Sequence, residues 1–478
     1  MSGALVAGVD IATANARVQV HDVSGALVAA ASRSLPAPVR AGGGRSEQDA
    51  SSWWPAARDC LAECTRALGP RSSEIAALAV SATSGTVVLV DRGGDPVTPA
   101  LMYDDRRAGE QARTAAEVGG RRWAATGITP TAGSGLARIA WLCADPPARA
   151  AAVCHTPDLI GRKLTGHPVA VDTSHALKSG YDVVAGEWAG EVFDALGVPE
   201  AVLPEVARPA AQLGTVGREA AAETGLPAGC TVVAGMTDGC AGQLATGAVD
   251  VGQFVTVLGT TLVLKGVSRQ LVHDPSGAVY SHLHPEGVWL PGGAANIGGS
   301  ALSEVDGDEI GALDAAAAER GPSAVLNYPL RGTGERFPFL ADEATAFGVG
   351  QPRDRADEHR SRLEGVAFCE RLAVERLAEL GAPAEGPLRT AGGGALSPTW
   401  CRIRASVLNR PVLRVSEAGT ALGAALLAAA GSAHAGISAA AEEMVPAGEL
   451  VEPDEREVAP LEESYRRFTG ELRHRGWI

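Results

Sequence analysis

The chain has 478 residues, of which 46% are hydrophobic and 20% are charged. This length predicts two large domains rather than one core, and the composition is that of a folded protein, which excludes a largely disordered chain. The formal net charge of −15 argues against nucleic acid or an anionic membrane as a partner. An anionic small molecule stays open, because backbone amides can bind phosphate without any net positive charge.

Cysteine usage and apolar runs indicate the compartment. The eight cysteines are scattered and form no Cys-x-x-Cys pair, which predicts buried free thiols in a reducing environment. The first residues show no basic segment followed by a long apolar run, so we expect no signal peptide. The longest apolar stretch, residues 418–430, is too short and too rich in alanine and glycine to span a bilayer. These features predict a cytoplasmic protein.

An acidic turn follows the first predicted strand. Residues 4–9 form an apolar strand, and residues 18–22 and 26–31 form the next two. Asp10 and Thr13 lie in the turn between the first two strands. The threonine hydroxyl and nearby amides can hold a phosphate there, while the carboxylate holds its magnesium. An ordinary hairpin whose polar residues satisfy their own turn fits the same pattern.

Hydroxyl and carboxylate groups cluster after later strands. Residues 45–68 contain a helix, and strands at 75–81 and 87–90 enclose a turn rich in serine and threonine. These hydroxyls can bind a polyol or close a local turn. The charged run after Leu101, up to Arg107, suits either a solvated helix start or a sugar pocket.

The middle of the chain, residues 109–229, is predicted to be helical and loop-rich, with a helix at 155–164. A polar run at 172–182 contains His175. No carboxylate partner for this histidine can be identified in the sequence, which favours a structural role over a catalytic one.

Asp238 lies at the junction of a predicted strand and helix. Residues 230–234 read as a buried strand and residues 240–245 as the start of a helix. A carboxylate on a turn after a buried strand points into the crevice where α/β proteins bind ligands. Capping of the following helix is the alternative role.

The second half repeats the opening pattern. Strands at 252–257 and 262–267 flank Gly259 and Thr260, which echoes the hairpin at Asp10 and suggests an internal duplication. Each half could then supply one phosphate-holding loop, the two facing each other across a cleft.

Helices and glycines follow the second hairpin. Residues 296–300 open a helical region, 363–380 form an amphipathic helix, and 417–430 form an alanine-rich helix that should pack closely. Three glycines at 392–394, before a helix near residue 397, allow a base or phosphate to approach the backbone. The tail from residue 432 is expected to be acidic, then helical, and to lie on the outside.

Taken together, these segments resemble the FGGY family of carbohydrate kinases, which share the α/β, two-domain, actin/Hsp70/hexokinase-like (ribonuclease H-like) fold with a cleft between the domains. The resemblance rests on the Asp10 turn, residues 103–107, 235–239, 259–261, 392–395 with Trp400, and Glu417 with residues 422–425. It implies an N-terminal domain at 1–235, a C-terminal domain at 236–431 and a helical extension at 432–478.

Within the family the chain looks most like the xylulokinase-like D-ribulose kinases of plants and cyanobacteria. That likeness rests on residues 83–86, 176–182, 279–282 and 334–338. Xylulokinases proper carry a Met-His-Gly element where this chain has Ser84-Gly85-Thr86, which favours D-ribulose over D-xylulose. The alternatives are a D-xylulose kinase, another polyol kinase, or a catalytically weakened relative that binds sugar or nucleotide for regulation. A chaperone- or actin-like ATPase of the same fold fits the sugar-side residues less well.

The resemblance also implies roles for individual residues. Asp238 matches the general base that takes the proton of the attacking sugar hydroxyl, and ATP and Mg²⁺ are the implied cofactors. The implied sugar-binding residues are Asp10, Ser84, Asp105 and Asp238. The implied nucleotide-binding residues are Thr13, Arg17, Gly259, Thr260, Gly298, Gly393 and Gly394. Asp10 and Asp238 are the implied magnesium ligands. Whether the protein forms a homodimer stays open.

One position departs from the family. The first loop usually reads Asp-x-Gly-Thr, and this chain has Ala12 in place of that glycine; Asn15 replaces a second, less regular glycine. Asparagine tolerates a positive φ better than most residues. Alanine at position 12 causes no backbone strain if φ is negative there. A positive φ would be strained for alanine and would weaken phosphate binding.

Overall fold

The computed structural model describes residues 3–415 and 418–478. The strands of the first half are β1 (Leu5–Ile11), β2 (Asn15–Asp22), β3 (Leu27–Ser34), β4 (Val39–Ala41), β5 (Arg45–Gln48), β6 (Ile75–Ala82), β7 (Val87–Val90), β8 (Ala100–Leu101), β9 (Ala152–His155), β10 (Val171–Asp172), β11 (Tyr181–Asp182), β12 (Glu187–Trp188), β13 (Val206–Ala207), β14 (Gln212–Thr215) and β15 (Thr231–Val233). The later strands are β16 (Phe254–Leu258), β17 (Leu262–Gly266), β18 (Tyr280–Leu283), β19 (Trp289–Ala294), β20 (Leu326–Tyr328), β21 (Phe347–Val349), β22 (Leu388–Ala391), β23 (Val412–Arg414) and β24 (Glu449–Val451).

The helices are α1 (Trp53–Leu68), α2 (Gly109–Val118), α3 (Gly120–Thr126), α4 (Gly135–Cys143), α5 (Thr156–Thr165), α6 (Thr173–Leu177), α7 (Gly190–Ala195), α8 (Arg218–Thr224), α9 (Asp238–Leu244), α10 (Gly307–Arg320), α11 (Arg355–Glu379), α12 (Pro398–Leu408), α13 (Thr420–Ala430), α14 (Ile437–Met444) and α15 (Glu455–His474). Within the described ranges, none of these helices combines the length and the apolar character that a membrane crossing needs.

The chain divides into two compact units. Unit 1 comprises Met1–Gly247, His282–Gly287 and Gly419–Val445, and unit 2 comprises Ala248–Ser281, Val288–Ala418 and Pro446–Ile478. These units are discontinuous in sequence, because the segment with α13 and α14 packs in unit 1. The boundaries predicted from the sequence, 1–235, 236–431 and 432–478, assume continuous segments and stay a prediction about domain organisation.

Unit 1 is built on a mixed sheet with the strand order β14-β15-β6-β1-β2-β3. Strands β15, β6 and β1 run parallel, while β1, β2 and β3 form antiparallel hairpins. Every residue of β1 is buried, as expected for a central strand whose two faces are both covered. Helix α13 packs against β1 and α9, and Gly8 makes this possible, because a Cβ there would lie 1.8 Å from the carbonyl oxygen of Ala421. The predicted close packing of this alanine-rich helix is confirmed.

Unit 2 repeats the arrangement. Its sheet contains β19, β17, β16, β22, β23 and β24 in that order. The hairpin β16–β17 is antiparallel, and β16 also pairs in parallel with β22, as β1 does with β2 and β6. The echo between the two predicted hairpins is therefore present in the topology of both sheets.

The prediction that the tail lies on the outside is wrong. Helix α15 carries Leu461, Tyr465, Phe468 and Leu472 at helical spacing, and all four are buried in the apolar core of unit 2. The helix is polar on its remaining faces, so its charge concealed an apolar stripe. Helix α15 is part of the core of unit 2, whereas α14, near the start of the tail, packs in unit 1.

The eight cysteines are free, as predicted, and all except the half-buried Cys143 are buried.

Candidate active site

Three parallel strands of unit 1 end side by side and carry three of the predicted site residues. Asp10 lies near the end of β1 and pairs with Ser81 of β6. Ala82, the last residue of β6, forms a bridge with Thr237, which follows β15. Ser84 and Asp238 each come within two residues of that bridge. The carboxyl edge of the sheet thus brings Asp10, Ser84 and Asp238 together, as expected for ligand binding in α/β folds.

Asp10 is buried and pairs with Arg17 on the neighbouring strand. The Nη1 of Arg17 donates to Oδ2 of Asp10 at 3.2 Å, while Oδ1 is buried and has no partner among the described residues. Burial raises the pKa of Asp10 to about 6, and the charge of Asp238 adds to this, although Arg17 opposes both. Arg17, predicted to contact the nucleotide, is half exposed and neutralises part of this site.

The backbone carbonyl groups of the first loop, between β1 and β2, accept hydrogen bonds from other protein groups. Ala12 N–H donates to the carbonyl of Asn15 at 2.9 Å, Leu35 N–H to that of Ala14, and Gln48 Nε2 to that of Thr13. Within the described part of the chain, the amides of Thr13 and Ala14 donate to no protein group. The loop therefore offers two N–H groups and the Thr13 hydroxyl to an anion.

The replacement of glycine by Ala12 causes no backbone strain. Among residues 3–415 and 418–478, the non-glycine residues with positive φ are Ala210 and Asn409. Ala12 and Asn15 are not among them, so a side chain at either position is compatible with the loop. Alanine at position 12 therefore does not force an unfavourable backbone angle.

The turn that carries Ser84 is fixed by Arg138 of α4, which the sequence analysis missed. Arg138 is fully buried and donates to the carbonyls of Gly85, Tyr103, Asp105 and Gly133. Burial lowers the pKa of Arg138 to about 10, although the charges of nearby aspartates oppose the shift. The sequence signal for Arg138 was its position as a charged residue inside the apolar run Gly135–Cys143. Ser84 Oγ is buried and has no partner among the described residues.

Asp105 lies beneath this turn rather than at a surface. It is fully buried, and its carboxylate accepts hydrogen bonds from Ser46 N–H at 2.8 Å and from the backbone and guanidinium of Arg107. A solvated helix start at this point is wrong, because α2 begins only at Gly109 and Asp105 is inaccessible. Its contact with the sugar stays a prediction, and its backbone carbonyl shares the donor Arg138 with Gly85 of the turn.

Asp238 is the first residue of α9. Thr237 occupies the N-cap position, and the side chain of Thr237 makes no capping hydrogen bond. Asp238 is half-buried, and its Oδ1 accepts from Gly239 N–H at 2.7 Å. The helix-cap alternative stays open, because this carboxylate accepts a hydrogen bond from an amide of the first turn of α9. The carboxylate lies at the same sheet edge as Asp10.

His175 has a carboxylate partner, which corrects the expectation from sequence. Asp172 ends β10, caps α6, and brings its Oδ2 to 2.6 Å from Nδ1 of His175. Both side chains are buried. Burial would lower the pKa of His175, but the charge of Asp172 outweighs it and raises that pKa; Asp238 adds to the effect.

In unit 2 the second predicted loop, residues 259–261, connects β16 to β17. Thr260 is exposed, and Gly259 N–H donates to the carbonyl of Thr261. Gly298 packs directly on this loop, since a Cβ there would lie 2.4 Å from the carbonyl carbon of Thr261. The glycine at 298 is thus required by close packing, and its contact with the nucleotide stays a prediction.

The triple glycine follows β22 and lies beside the same loop. Gly392 has a φ of +86°, and a Cβ there would lie 2.8 Å from the carbonyl oxygen of Leu258. Gly394 packs on the side chain of Leu258. Gly393 is exposed and a Cβ there would meet nothing within 4 Å, which leaves an open face beside the exposed Leu396. Gly259 and Gly393 are therefore accessible, as a nucleotide site requires. Glu417, part of the resemblance, lies outside the described residues.

The residues present fit a magnesium ion that arrives with a nucleotide. Across residues 3–415 and 418–478, no cluster of three or more histidine, cysteine, aspartate or glutamate side chains could hold a metal ion by itself. Magnesium is commonly bound by one or two carboxylates together with phosphate oxygens and water. Asp10, with one unpartnered oxygen, and Asp238 match that donor set.

Comparison with known proteins places this geometry in a family. Residues 5–245 match the N-terminal domain of the FGGY family of carbohydrate kinases, and residues 254–432 match the C-terminal domain. The chain belongs to the FGGY family of carbohydrate kinases. It is accordingly a sugar kinase, a phosphotransferase of a family that uses ATP, generally with Mg²⁺.

The relatives are xylulokinase-like. A xylulose kinase of Streptomyces coelicolor is 32% identical over 489 aligned residues, which cover 98% of this chain and 96% of the relative. An L-xylulose/3-keto-L-gulonate kinase of Escherichia coli is 29% identical, with 81% and 80% covered. The crystal structure of xylulose kinase from Rhodospirillum rubrum has a TM-score of 0.88 at 30% identity, with 98% of both chains covered. The predicted two-domain, actin-like α/β fold is confirmed.

Proposed function

We propose that this protein transfers the γ-phosphate of Mg·ATP to a hydroxyl group of a ketopentose, with D-ribulose as the preferred substrate. The observation that carries the proposal is the meeting of Asp10, Ser84 and Asp238 at the ends of three adjacent strands. Two carboxylates beside a hydroxyl-rich turn suit a polyol substrate that must lose a proton.

Asp238 acts as the general base in this proposal. It takes the proton from the sugar hydroxyl as that oxygen attacks the γ-phosphorus, and the bond from phosphorus to the β,γ-bridging oxygen breaks to release ADP. Asp238 is suited to the role because its carboxylate is half-buried at the sheet edge that also carries Asp10 and Ser84.

Asp10 binds the sugar and the metal–phosphate region. Burial raises the pKa of Asp10 to about 6 although Arg17 opposes the shift, and a cation beside the carboxylate would favour its charged form. Magnesium bound by Asp10 and Asp238 would neutralise charge on the transferred phosphoryl group. Asp10 Oδ1 and Ser84 Oγ are buried and unpartnered in the described chain, so sugar hydroxyls that reach them would satisfy two costly polar atoms.

Each unit carries, in this proposal, its own candidate groups for the nucleotide. Thr13 and its neighbouring amide bind phosphate in unit 1, and Gly259 and Thr260 are the phosphate-binding residues of unit 2. Gly393 provides the open backbone face for the nucleotide, with Gly394 shaping it by its packing on Leu258. The reaction requires the sugar hydroxyl and the γ-phosphate to come within reach of each other with water excluded.

D-Xylulose is the second candidate, because the relatives described above are named for xylulose. The Ser84-Gly85-Thr86 turn, in place of a Met-His-Gly element, supports D-ribulose instead. A catalytically weakened relative has less support, since Ala12 does not strain the first loop and the two carboxylates are retained.

The experiment that tests the proposal is ADP release from Mg·ATP against D-ribulose, D-xylulose, L-ribulose, L-xylulose, glycerol and gluconate. We expect the highest kcat/KM with D-ribulose. A preference for D-xylulose would contradict the substrate and leave the reaction class intact. No transfer to any ketopentose, with nucleotide still bound, would contradict the proposed function.

A further inference from the structure

A buried chain of hydrogen bonds connects Asp172 to the amide that precedes Asp238. The hydroxyl of Ser174 lies 2.5 Å from Oδ1 of Asp172 and 2.8 Å from the backbone nitrogen of Thr237. Asp172, Ser174 and Thr237 are all buried within unit 1. The chain therefore ends one residue before the candidate base.

The direction of these hydrogen bonds is fixed by chemistry. The amide of Thr237 can only donate, so Ser174 Oγ accepts from it and donates its own hydrogen to Asp172. Burial would raise the pKa of Asp172, but the charge of His175 and several hydrogen bonds outweigh this and lower it. An ionised Asp172 accepts from Ser174, and charge-assisted bonds of this kind are the stronger ones.

The orientation of the Asp172 carboxylate is itself fixed. Oδ1 accepts from the backbone N–H groups of Ser174 and His175 at 2.9 and 3.1 Å, while Oδ2 faces Nδ1 of His175 at 2.6 Å. With both oxygens engaged, the carboxylate cannot rotate without losing several bonds. Ser174 is consequently held in one position.

The hydrogen-bond chain reaches α9 at the residue before the helix. Thr237 is the N-cap residue, its side chain makes no capping bond, and its backbone forms a bridge with Ala82 at the end of β6. The amide of Thr237 is thus held by Ser174 on one side while the strand end holds the other. A shift of about 1 Å in a reacting group can lower the rate by about a hundredfold.

We propose that Asp172 is a positioning residue for phosphoryl transfer, and that it acts on Asp238 through the hydroxyl of Ser174 and the amide of Thr237. The proposal rests on the proposed function, in which Asp238 is the base. Neither Asp172 nor Ser174 touches the reacting atoms in this role. Their effect should fall on kcat, because they set the place of the base and not the affinity for the nucleotide.

The primary variant is Ser174→Ala, with Ser179→Ala as its matched control. Both serines are fully buried in unit 1, and Ser179 Oγ is bonded to Nε2 of a buried histidine, His155, at 2.7 Å. Ser179 has no bond to Thr237, so both variants lose one buried hydroxyl and only one breaks the chain. We expect Ser174→Ala to lower kcat by about ten- to a hundredfold. The KM for Mg·ATP should stay within about twofold, and Ser179→Ala should keep kcat within about twofold, since neither variant alters a nucleotide-binding group.

Two further variants extend the test, and Asp172→Asn alone should also lower kcat if Ser174→Ala folds poorly. Ser174→Thr retains the hydroxyl and should recover kcat relative to Ser174→Ala. Asp172→Asn weakens the acceptor, and in combination with Ser174→Ala it should cost no more than Ser174→Ala alone, because the chain is already broken.

The outcomes are distinguishable when wild-type protein is measured first in the same assay. An inactive wild type overturns the proposed function and this inference together. With an active wild type, the inference alone is overturned if Ser174→Ala keeps kcat within twofold, if Ser179→Ala loses as much, or if the double variant loses the product of the two single losses.

Discussion

Replacement of Arg138 by methionine tests whether one buried cation fixes the sugar-side turn. Arg138 makes five hydrogen bonds to four carbonyl groups, those of Gly85, Tyr103, Asp105 and Gly133, at 2.7 to 3.2 Å. Within the described chain, no other group donates to these carbonyls. Methionine has similar length and fills the space without a donor, so the four carbonyls lose their partner together.

The expected loss in the free energy of unfolding follows from the number of carbonyl groups that lose their donor. Four buried carbonyls at about 1 kcal/mol each give a loss of about 4 kcal/mol. Removal of a buried charge, whose cost is apparent in the lowered pKa of Arg138, offsets part of this. We therefore expect the free energy of unfolding to fall by about 2–4 kcal/mol.

Arg138→Met should weaken binding of the sugar but not of the nucleotide. The turn with Ser84 and the segment from Tyr103 to Asp105 both lose their common anchor, so the KM for the sugar should rise by about tenfold. The candidate nucleotide groups Gly259 and Gly393 belong to unit 2, and the KM for Mg·ATP should change by less than about twofold, as for a loss of sugar contacts alone.

The assays are urea unfolding and initial-rate kinetics with each substrate varied. Arg113→Met is the matched control, since Arg113 is exposed on α2 and the same substitution there should cost less than about 0.5 kcal/mol. An Arg138→Met protein with wild-type stability and an unchanged KM for the sugar would refute the reasoning.

Four further substitutions separate local packing from ligand binding. Ser84→Ala should leave the melting temperature unchanged, because Ser84 Oγ bonds no described protein group, and should raise the sugar KM by about three- to tenfold; an unchanged KM would remove Ser84 from the sugar site. Ala12→Gly should change kcat/KM by less than about twofold because φ at that position is not positive; a tenfold gain would show that alanine impairs the loop. Gly298→Ala should lower the melting temperature, since its Cβ would lie 2.4 Å from Thr261. Gly393→Ala should raise the KM for Mg·ATP and leave the melting temperature unchanged. If thermal unfolding and kinetics show the same effects for Gly298→Ala and Gly393→Ala, this prediction is contradicted.

Local elements were predictable because their signals are local. The strand Val87–Val90 and the helix that begins at Pro398 were both expected where they occur. Alternation, uninterrupted apolar runs and capping residues act over a few positions, so the sequence carries that information directly. The pairing of Asp10 with Ser81 is different in kind, because it depends on which strands become neighbours.

The supporting residues of the site were harder to predict. Arg138 acts on Gly85, Tyr103 and Asp105, which lie 33 to 53 positions away, and nothing in its own neighbourhood indicates those partners. Asp172, in contrast, lies three residues before His175 and caps the same short helix, so the pair was recognisable from an Asp at an N-cap position.

The buried tail shows a similar limit. Charged residues dominate α15 and concealed the stripe that includes Leu461 and Phe468. A charged composition describes the solvent-facing sides of a helix, whereas burial depends on the spacing of the few apolar residues.

The rate of ADP release by Asp238→Asn, measured with the preferred ketopentose, most directly tests whether Asp238 is the base. Asparagine has nearly the same shape but cannot accept the hydroxyl proton, so kcat should fall by at least about a hundredfold, the usual size of a general-base contribution. Binding of ATP, measured by calorimetry, and the melting temperature should remain close to those of the wild type. A near-normal kcat for Asp238→Asn would contradict the mechanism.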